Sequence, residues 1–152
     1  MSGLTLVATP IGNLGDISAR AVETLQSVDL VAAEDTRHSK RLMQHFAVST
    51  RLLAYHEHNE EQQTPALIER MLKGQSIALI SDAGTPLLSD PGYRLIEAAI
   101  ANNIKVVPIP GVSAATAAMS VSGLPTDSFV FVGFAPRKKG KRLRQYKNEK
   151  EP

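Results

Sequence analysis

The sequence predicts a doubly wound α/β domain, a mostly parallel sheet flanked by helices, over residues 1–121. Two observations carry that prediction. Short apolar runs recur along the chain, and few of them alternate strictly with polar residues, as expected of strands buried on both faces. Between the runs lie stretches whose apolar residues fall three and four apart, the period of a helix with one buried stripe.

In order, LTLVAT (4–9) is the first strand. Residues 18–28 follow as a helix with Ala21, Val22, Leu25 and Val28 on one stripe. DLVAAE (29–34) is the second strand, and residues 37–46, with Leu42, Met43 and Phe46, the second helix. RLLAY (51–55) is a weaker strand. Asn59, with Gln62 three residues on, resembles a capping box opening a helix that carries Leu67, Ile68, Met71 and Leu72 and stops at Gly74. SIALIS (76–81) is the next strand. Asp90 and Pro91 form an N-cap followed by proline at the first helical position, ahead of Tyr93, Ile96, Ala99 and Ile100. KVVPIP (105–110) is the last strand of the unit, and Ser113 caps an alanine-rich helix to about Val121.

The pattern then changes. Residues 122–128, around SGLPTD, are a turn-rich linker, and FVFVGF (129–134) has the composition of one more strand. A lone strand beyond a linker makes no domain of its own. It is expected to pair with an edge of its own sheet or with another chain.

Composition narrows the function classes. The chain has 152 residues and no cysteine, which excludes a disulfide framework and thiol catalysis. Its apolar stretches fall far short of the ~20 residues that span a bilayer. The first basic residue is Arg20, so the charged start of a signal peptide is missing and a cytoplasmic protein is expected. The net charge of +2 conceals an asymmetry: residues 137–152 hold eight of the 17 basic residues and two of the 15 acidic ones. Residues 1–136 keep nine bases and thirteen acids, an acidic body with a basic tail. The tail fits a polyanionic partner, or a solvated terminus.

Ligands of an open α/β sheet bind outside the carboxyl ends of its strands, and four turns lie there. TPIGNLGD (9–16) has glycines that permit positive φ or close backbone approach. EDTRHSKR (34–41) sets two carboxylates before Arg37, His38, Lys40 and Arg41. Glu34 falls ~20 residues after the first glycine loop, where a dinucleotide-binding protein places its ribose acid; alternatively Thr36 is the N-cap of a helix favoured by the acids. SDAGTPLLSDPG (81–92) joins a buried strand to a helix, with Asp82 placed to accept hydrogen bonds and Ala83 and Gly84 small enough for backbone contact. PIPGVSAA (108–115) turns at Pro110 and Gly111. HEHNEE (56–61) has alternating histidines but neither HExxH nor cysteine, so no metal is expected.

Taken together, ATPIGNLGD (8–16), AAEDTRHS (32–39), SDAGTPLLSDPG (81–92) and PGVSAA (110–115) resemble the tetrapyrrole-methylase-like, or class III, methyltransferases that use S-adenosylmethionine (SAM). The resemblance covers residues 4–136 and is nearest to the branch that acts on small-subunit ribosomal RNA. It implies two α/β domains, the first with a five-stranded sheet, and SAM in the cleft between them. The implied reaction methylates the ribose 2′-hydroxyl of a cytidine in 16S ribosomal RNA of the 30S subunit, and the implied assembly is a homodimer. The implied SAM site comprises Pro10, then Asp82, Ala83, Gly84 and Thr85 with Ser89 and Asp90, then Ser113 and Ala114. Members are longer than this chain. Residues 129–152 are therefore expected to be the first strand and a basic, solvent-facing loop of a second domain, and the chain alone is expected to be inactive.

A ribose hydroxyl needs a proton acceptor before it attacks. Glu34, Asp35, His38 and His56 are candidates, with Arg37 binding RNA phosphate or pairing with the acids. Arg137, Lys138, Lys139, Lys141, Arg142 and Arg144 are expected to add salt-dependent RNA affinity. Two other readings stay open: a nicotinamide-dependent oxidoreductase of Rossmann type, and a non-catalytic RNA-binding module.

Overall fold

The structure is a computed structural model, and it describes residues 2–88 and 91–148. Five strands form a single sheet: β1 (Gly3–Val7), β2 (Leu30–Ala33), β3 (Leu52–Ala54), β4 (Ser76–Ile80) and β5 (Val106–Ile109). Their order is β3-β2-β4-β1-β5, and every neighbouring pair is parallel. All five expected strands are present.

Burial on both faces explains their apolar runs. Leu30 and Ala32 of β2 join Leu4, Ile77 and Leu79 on one face of the sheet. Helices α3 (Glu60–Leu72) and α4 (Tyr93–Ala101) cover that face with Leu67, Ile68, Met71, Leu95 and Ala99. Val31 and Ala33 point the other way, with Val7, Ala78 and Ile80. Helices α1 (Ala19–Ser27) and α2 (Thr36–His45) close that side through Ala21, Leu25 and Met43. Each fully buried leucine contributes about 1.5–3 kcal/mol by leaving water, so the two clusters outweigh any single cap.

The caps differ from expectation in detail. Ser18 caps α1, its hydroxyl accepting from the Ala21 amide at 3.1 Å. Asn59 stands at the N-cap of α3 without forming a capping box. Its side chain instead donates to the Ala54 carbonyl at 2.9 Å and accepts the His56 amide at 2.8 Å, fastening the end of β3. Helix α4 starts at Tyr93, with Gly92 at the N-cap, so Pro91 is not its first residue. A Cβ on Gly92 would lie 2.7 Å from Leu79 Cδ2, and its φ of 131° suits only glycine. Asp90, expected to be that cap, lies outside the described residues.

Helix α5 (Ala114–Val121) has Ser113 at its N-cap position as expected, but without a side-chain capping bond, and buries none of its residues. Past it, residues 129–134 form no strand. Phe129, Val130, Phe131, Val132 and Phe134 are all exposed. The sheet offers this segment poor edges. On β5, Lys105 directs its carbonyl to Leu4 of β1, so alternation turns Pro108 outward, where it has no N–H to donate. The opposite edge, β3, is three residues long. The expected basic loop is also corrected: residues 139–148 form helix α6 (Lys139–Asn148), favoured by lysine, arginine, leucine and glutamine. Among the described residues, no helix is long and apolar enough to cross a membrane.

Candidate functional site

The loop after β4 ties together the carboxyl ends of the other strands. Thr9, just past β1, and Gly84 exchange both backbone hydrogen bonds at 2.9 Å. The Thr9 hydroxyl donates to the Ser81 carbonyl at 3.1 Å. Gly84 takes a φ of 83°, which favours glycine, although a Cβ there would meet Ile11 and the Val112 carbonyl only at ordinary contact distance. Thr85 Oγ1 donates to the Val112 carbonyl at 3.1 Å, reaching the turn after β5. Asp82 Oδ1 accepts the Asp35 amide at 3.1 Å, reaching the turn after β2.

These links hold open a cleft of about 210 Å³ lined by Thr9, Pro10, Gly12, Leu14, His38, Arg41, Leu42 and Asp82. The loop after β1 contributes Thr9, Pro10, Gly12 and Leu14, α2 contributes His38, Arg41 and Leu42, and the loop after β4 contributes Asp82. The lining includes neutral, acidic and basic groups, the mixture expected for a polar organic ligand that carries charges of both signs. A second depression, between Gly3, Thr24, Ser27 and Lys105, lies at the amino ends of the strands and contains none of these loops.

The structure brings only some of the site residues expected from sequence together. Pro10, His38 and Asp82 line the cleft. Ala83, Gly84 and Thr85 follow Asp82 in the same loop without lining the cleft, Ala83 exposed and Gly84 buried in the bridge to Thr9. Ser113 and Ala114 stand at the start of α5, Ser113 as its N-cap, and connect with that loop only through the bond between Thr85 and Val112. Ser89 and Asp90 lie outside the described residues. Thr9, Gly12, Leu14, Arg41 and Leu42 complete the lining; Arg41 was named in the 34–41 cluster but given no role at the site. Arg41 follows from helical spacing, three residues after His38 and on the same face of α2.

The 34–38 cluster is arranged otherwise than a row of catalytic acids. Asp35, and not Thr36, is the N-cap of α2, its carboxylate accepting the Arg37 amide at 2.8 Å. The same carboxylate holds the Arg37 side chain through two bonds, Nε to Oδ1 at 3.3 Å and Nη2 to Oδ2 at 3.1 Å. Hydrogen bonds from the Arg37 side chain and amide lower the Asp35 carboxyl from 3.8 to about 2. An acid that strong is a weak proton acceptor at neutral pH. Glu34 is half-buried at the end of β2. His56 follows the edge strand β3 and lies outside the cleft lining.

Strand order bears on the dinucleotide reading. That site needs its ribose acid on the strand beside the glycine loop, with strands ordered 3-2-1-4-5. Here β4 lies between β1 and β2, which separates Glu34 from the loop after β1. Among the described residues, no three of His, Cys, Asp and Glu cluster as metal ligands would.

The parallel sheet with its helices, and a cleft at the carboxyl ends of β1 and β4, define a class. The chain belongs to the tetrapyrrole (corrin/porphyrin) methylase family, whose model matches residues 3–151. It is a methyltransferase-family chain. Within that family it is similar to ribosomal RNA small subunit methyltransferase I of Halalkalibacterium halodurans, with 54% identity over 149 residues, 98% of this chain and 51% of the relative. The proteins of the same name from Escherichia coli O157:H7 and Pseudomonas aeruginosa are 53% and 56% identical, each over 98% of this chain and 52% and 53% of their own length. The chain thus spans about half the length of the curated relatives it matches. Among solved structures, uroporphyrin-III-C-methyltransferase from Thermus thermophilus superposes with a TM-score of 0.62 at 23% identity, over 84% of this chain and 55% of that one. Diphthine synthase does so with 0.66 at 24%, over 84% and 51%. These two share the fold.

Proposed function

We propose that the chain is the SAM-binding, N-terminal part of an enzyme that methylates the ribose 2′-hydroxyl of a cytidine in 16S ribosomal RNA. The observation that carries this is identity above 50% along nearly the whole chain to methyltransferases named for small-subunit ribosomal RNA. The division proposed with it is a SAM-binding domain over 1–121, a linker over 122–128 and the start of a second domain over 129–152. A homodimeric, cytoplasmic enzyme acting on the 30S subunit or its RNA completes the reading.

The residues fit the cofactor. Gly84, at a φ of 83° that favours glycine, allows close backbone approach in the loop after Asp82, and Asp82 supplies the carboxylate that polar hydroxyl and amine groups require. Pro10, Asp82, Ala83, Gly84 and Thr85 would hold it from one side, with Ser89 and Asp90 assigned to the same loop and Ser113 and Ala114 at the start of α5. When bound, SAM supplies a methyl group already activated by its sulfonium, so the protein's share is alignment and proton removal. His38 is the proposed proton acceptor, because it alone of Glu34, Asp35, Arg37 and His38 lines the cleft. Asp35 and Arg37 position it by fixing the first turn of α2.

Calorimetry with S-adenosylhomocysteine tests the cofactor site; absence of binding to this chain and to a two-domain relative alike would overturn it. Transfer of tritiated methyl into 30S RNA, located by the alkali resistance that a 2′-O-methyl group confers, tests the acceptor. Replacing His38 by asparagine is expected to lower turnover by about 10²–10⁴.

A further inference from the structure

We propose that Arg41 is the binding site for the phosphate on the 3′ side of the acceptor nucleotide. This rests on the reading that the acceptor is a ribose 2′-hydroxyl. On an RNA chain, the 2′-hydroxyl and the 3′-phosphate hang from adjacent carbons of one ring. A site that presents that hydroxyl to a methyl donor therefore brings an anion close to the reacting oxygen and must meet its charge.

The cleft meets it on one wall only. Its basic lining residues are His38 and Arg41, one turn apart on α2, and of these Arg41 alone is charged at every working pH. The acidic lining residue, Asp82, repels an anion and is bonded to the Asp35 amide at the first turn of α2, which leaves the basic pair farther along that helix to receive the phosphate. Arg37, expected from sequence to bind RNA phosphate, is held by both oxygens of Asp35. Lys40 and Arg37 line a different groove, shared with Gln44, Val48 and Thr50. Arg41 is exposed and makes no ion pair among the described residues. Its planar guanidinium can give a phosphate two parallel hydrogen bonds, which a lysine cannot. Three residues of α2 thus divide the work: Arg37 holds the cap, His38 faces the hydroxyl, and Arg41 holds the neighbouring phosphate.

The test is fluorescence anisotropy of this chain with a short, cytidine-centred single-stranded RNA, over a salt titration. A second RNA carries a neutral methylphosphonate on the 3′ side of that cytidine. Wild type is expected to bind the charged RNA roughly tenfold or more tightly than the neutral one. Arg41→Gln is expected to lose a similar factor, to lower the salt slope by about 0.7, and to bind both RNAs alike. Arg41→Lys is expected to keep the slope and recover part of the affinity. Circular dichroism checks that both variants are folded. Equal affinity and slope in wild type and Arg41→Gln overturns the assignment, as does an equal methylphosphonate penalty in both. Wild type that binds S-adenosylhomocysteine but neither RNA overturns the phosphate site alone. Wild type that binds none of the three overturns it, and the reading on which it rests falls as well when a two-domain relative also fails to bind S-adenosylhomocysteine.

Discussion

Asp82, at the end of β4, accepts the backbone amide of Asp35, at the end of β2, with Oδ1 3.1 Å from that nitrogen. One carboxylate thus fixes the start of α2, and with it the wall that carries His38 and Arg41. Asp82→Ala is expected to cost about 1 kcal/mol, since water reaches the half-buried amide and replaces part of the bond. Asp82→Asn keeps an acceptor oxygen and is expected to cost less, while S-adenosylhomocysteine affinity falls in both. Urea midpoints and calorimetry separate the two roles. Identical midpoints for all three proteins would show that the bond contributes nothing to stability.

The pairing of Asp35 with Arg37 sets an acid limb. Its carboxyl is lowered from 3.8 to about 2 in the folded chain, first by the Arg37 side chain. A depressed folded value stabilises above the unfolded value and stops doing so as the carboxyl protonates. The contribution is therefore complete above about pH 4 and fades toward pH 2. Asp35→Asn is expected to flatten melting temperature against pH across that window, relative to wild type. Parallel curves would place the acid sensitivity elsewhere.

Gly111 lies against β1's extension, where an added Cβ would sit 2.7 Å from Ala8 Cβ. Gly111→Ala is expected to cost about 1–3 kcal/mol by overpacking. Because Ala8 is the neighbour concerned, Ala8→Gly in the same chain is expected to recover part of that loss, although alone it destabilises by about 0.5–1 kcal/mol. Additive costs in the double variant would mean that the two residues do not meet.

The exposed apolar run after α5 is expected to be the first site of proteolysis. Limited chymotrypsin digestion should cut at Leu124, Phe129, Phe131 or Phe134 before any bond within β1–β5. Mass spectrometry of the first fragments decides. A first cut inside the sheet would show that the core is the weaker part.

Much of the fold was legible because its cause is local. Leu30 to Ala33 form an unbroken apolar run since both faces of β2 are covered, and the helices show their stripes through Ala21 with Leu25 and Leu67 with Met71. Strand order has no local signature. Nothing around Glu34 reveals that β4 separates it from the loop after β1, so local sequence alone does not distinguish this site from a dinucleotide site. The cap at Gly92 depends on Leu79, thirteen residues earlier, and residues 129–134 do not pair with either edge of this sheet. At the site, the first three loops singled out by residue type each contribute to one cleft, through Pro10, His38 and Asp82. Which of them face the cleft depends on Asp35 taking the cap and turning α2 so that His38 and Arg41 look inward.

The outward-facing Pro108 has a consequence for assembly. A ladder extends only where donors and acceptors alternate along an edge, and at this position β5 has no donor to give. Whatever comes to rest on that flank must be gripped by side chains, with no continuous backbone zipper to guide its register. Strand-by-strand growth is left to the short β3 side, so the molecule has one flank to guard against unwanted fibre-like stacking instead of two.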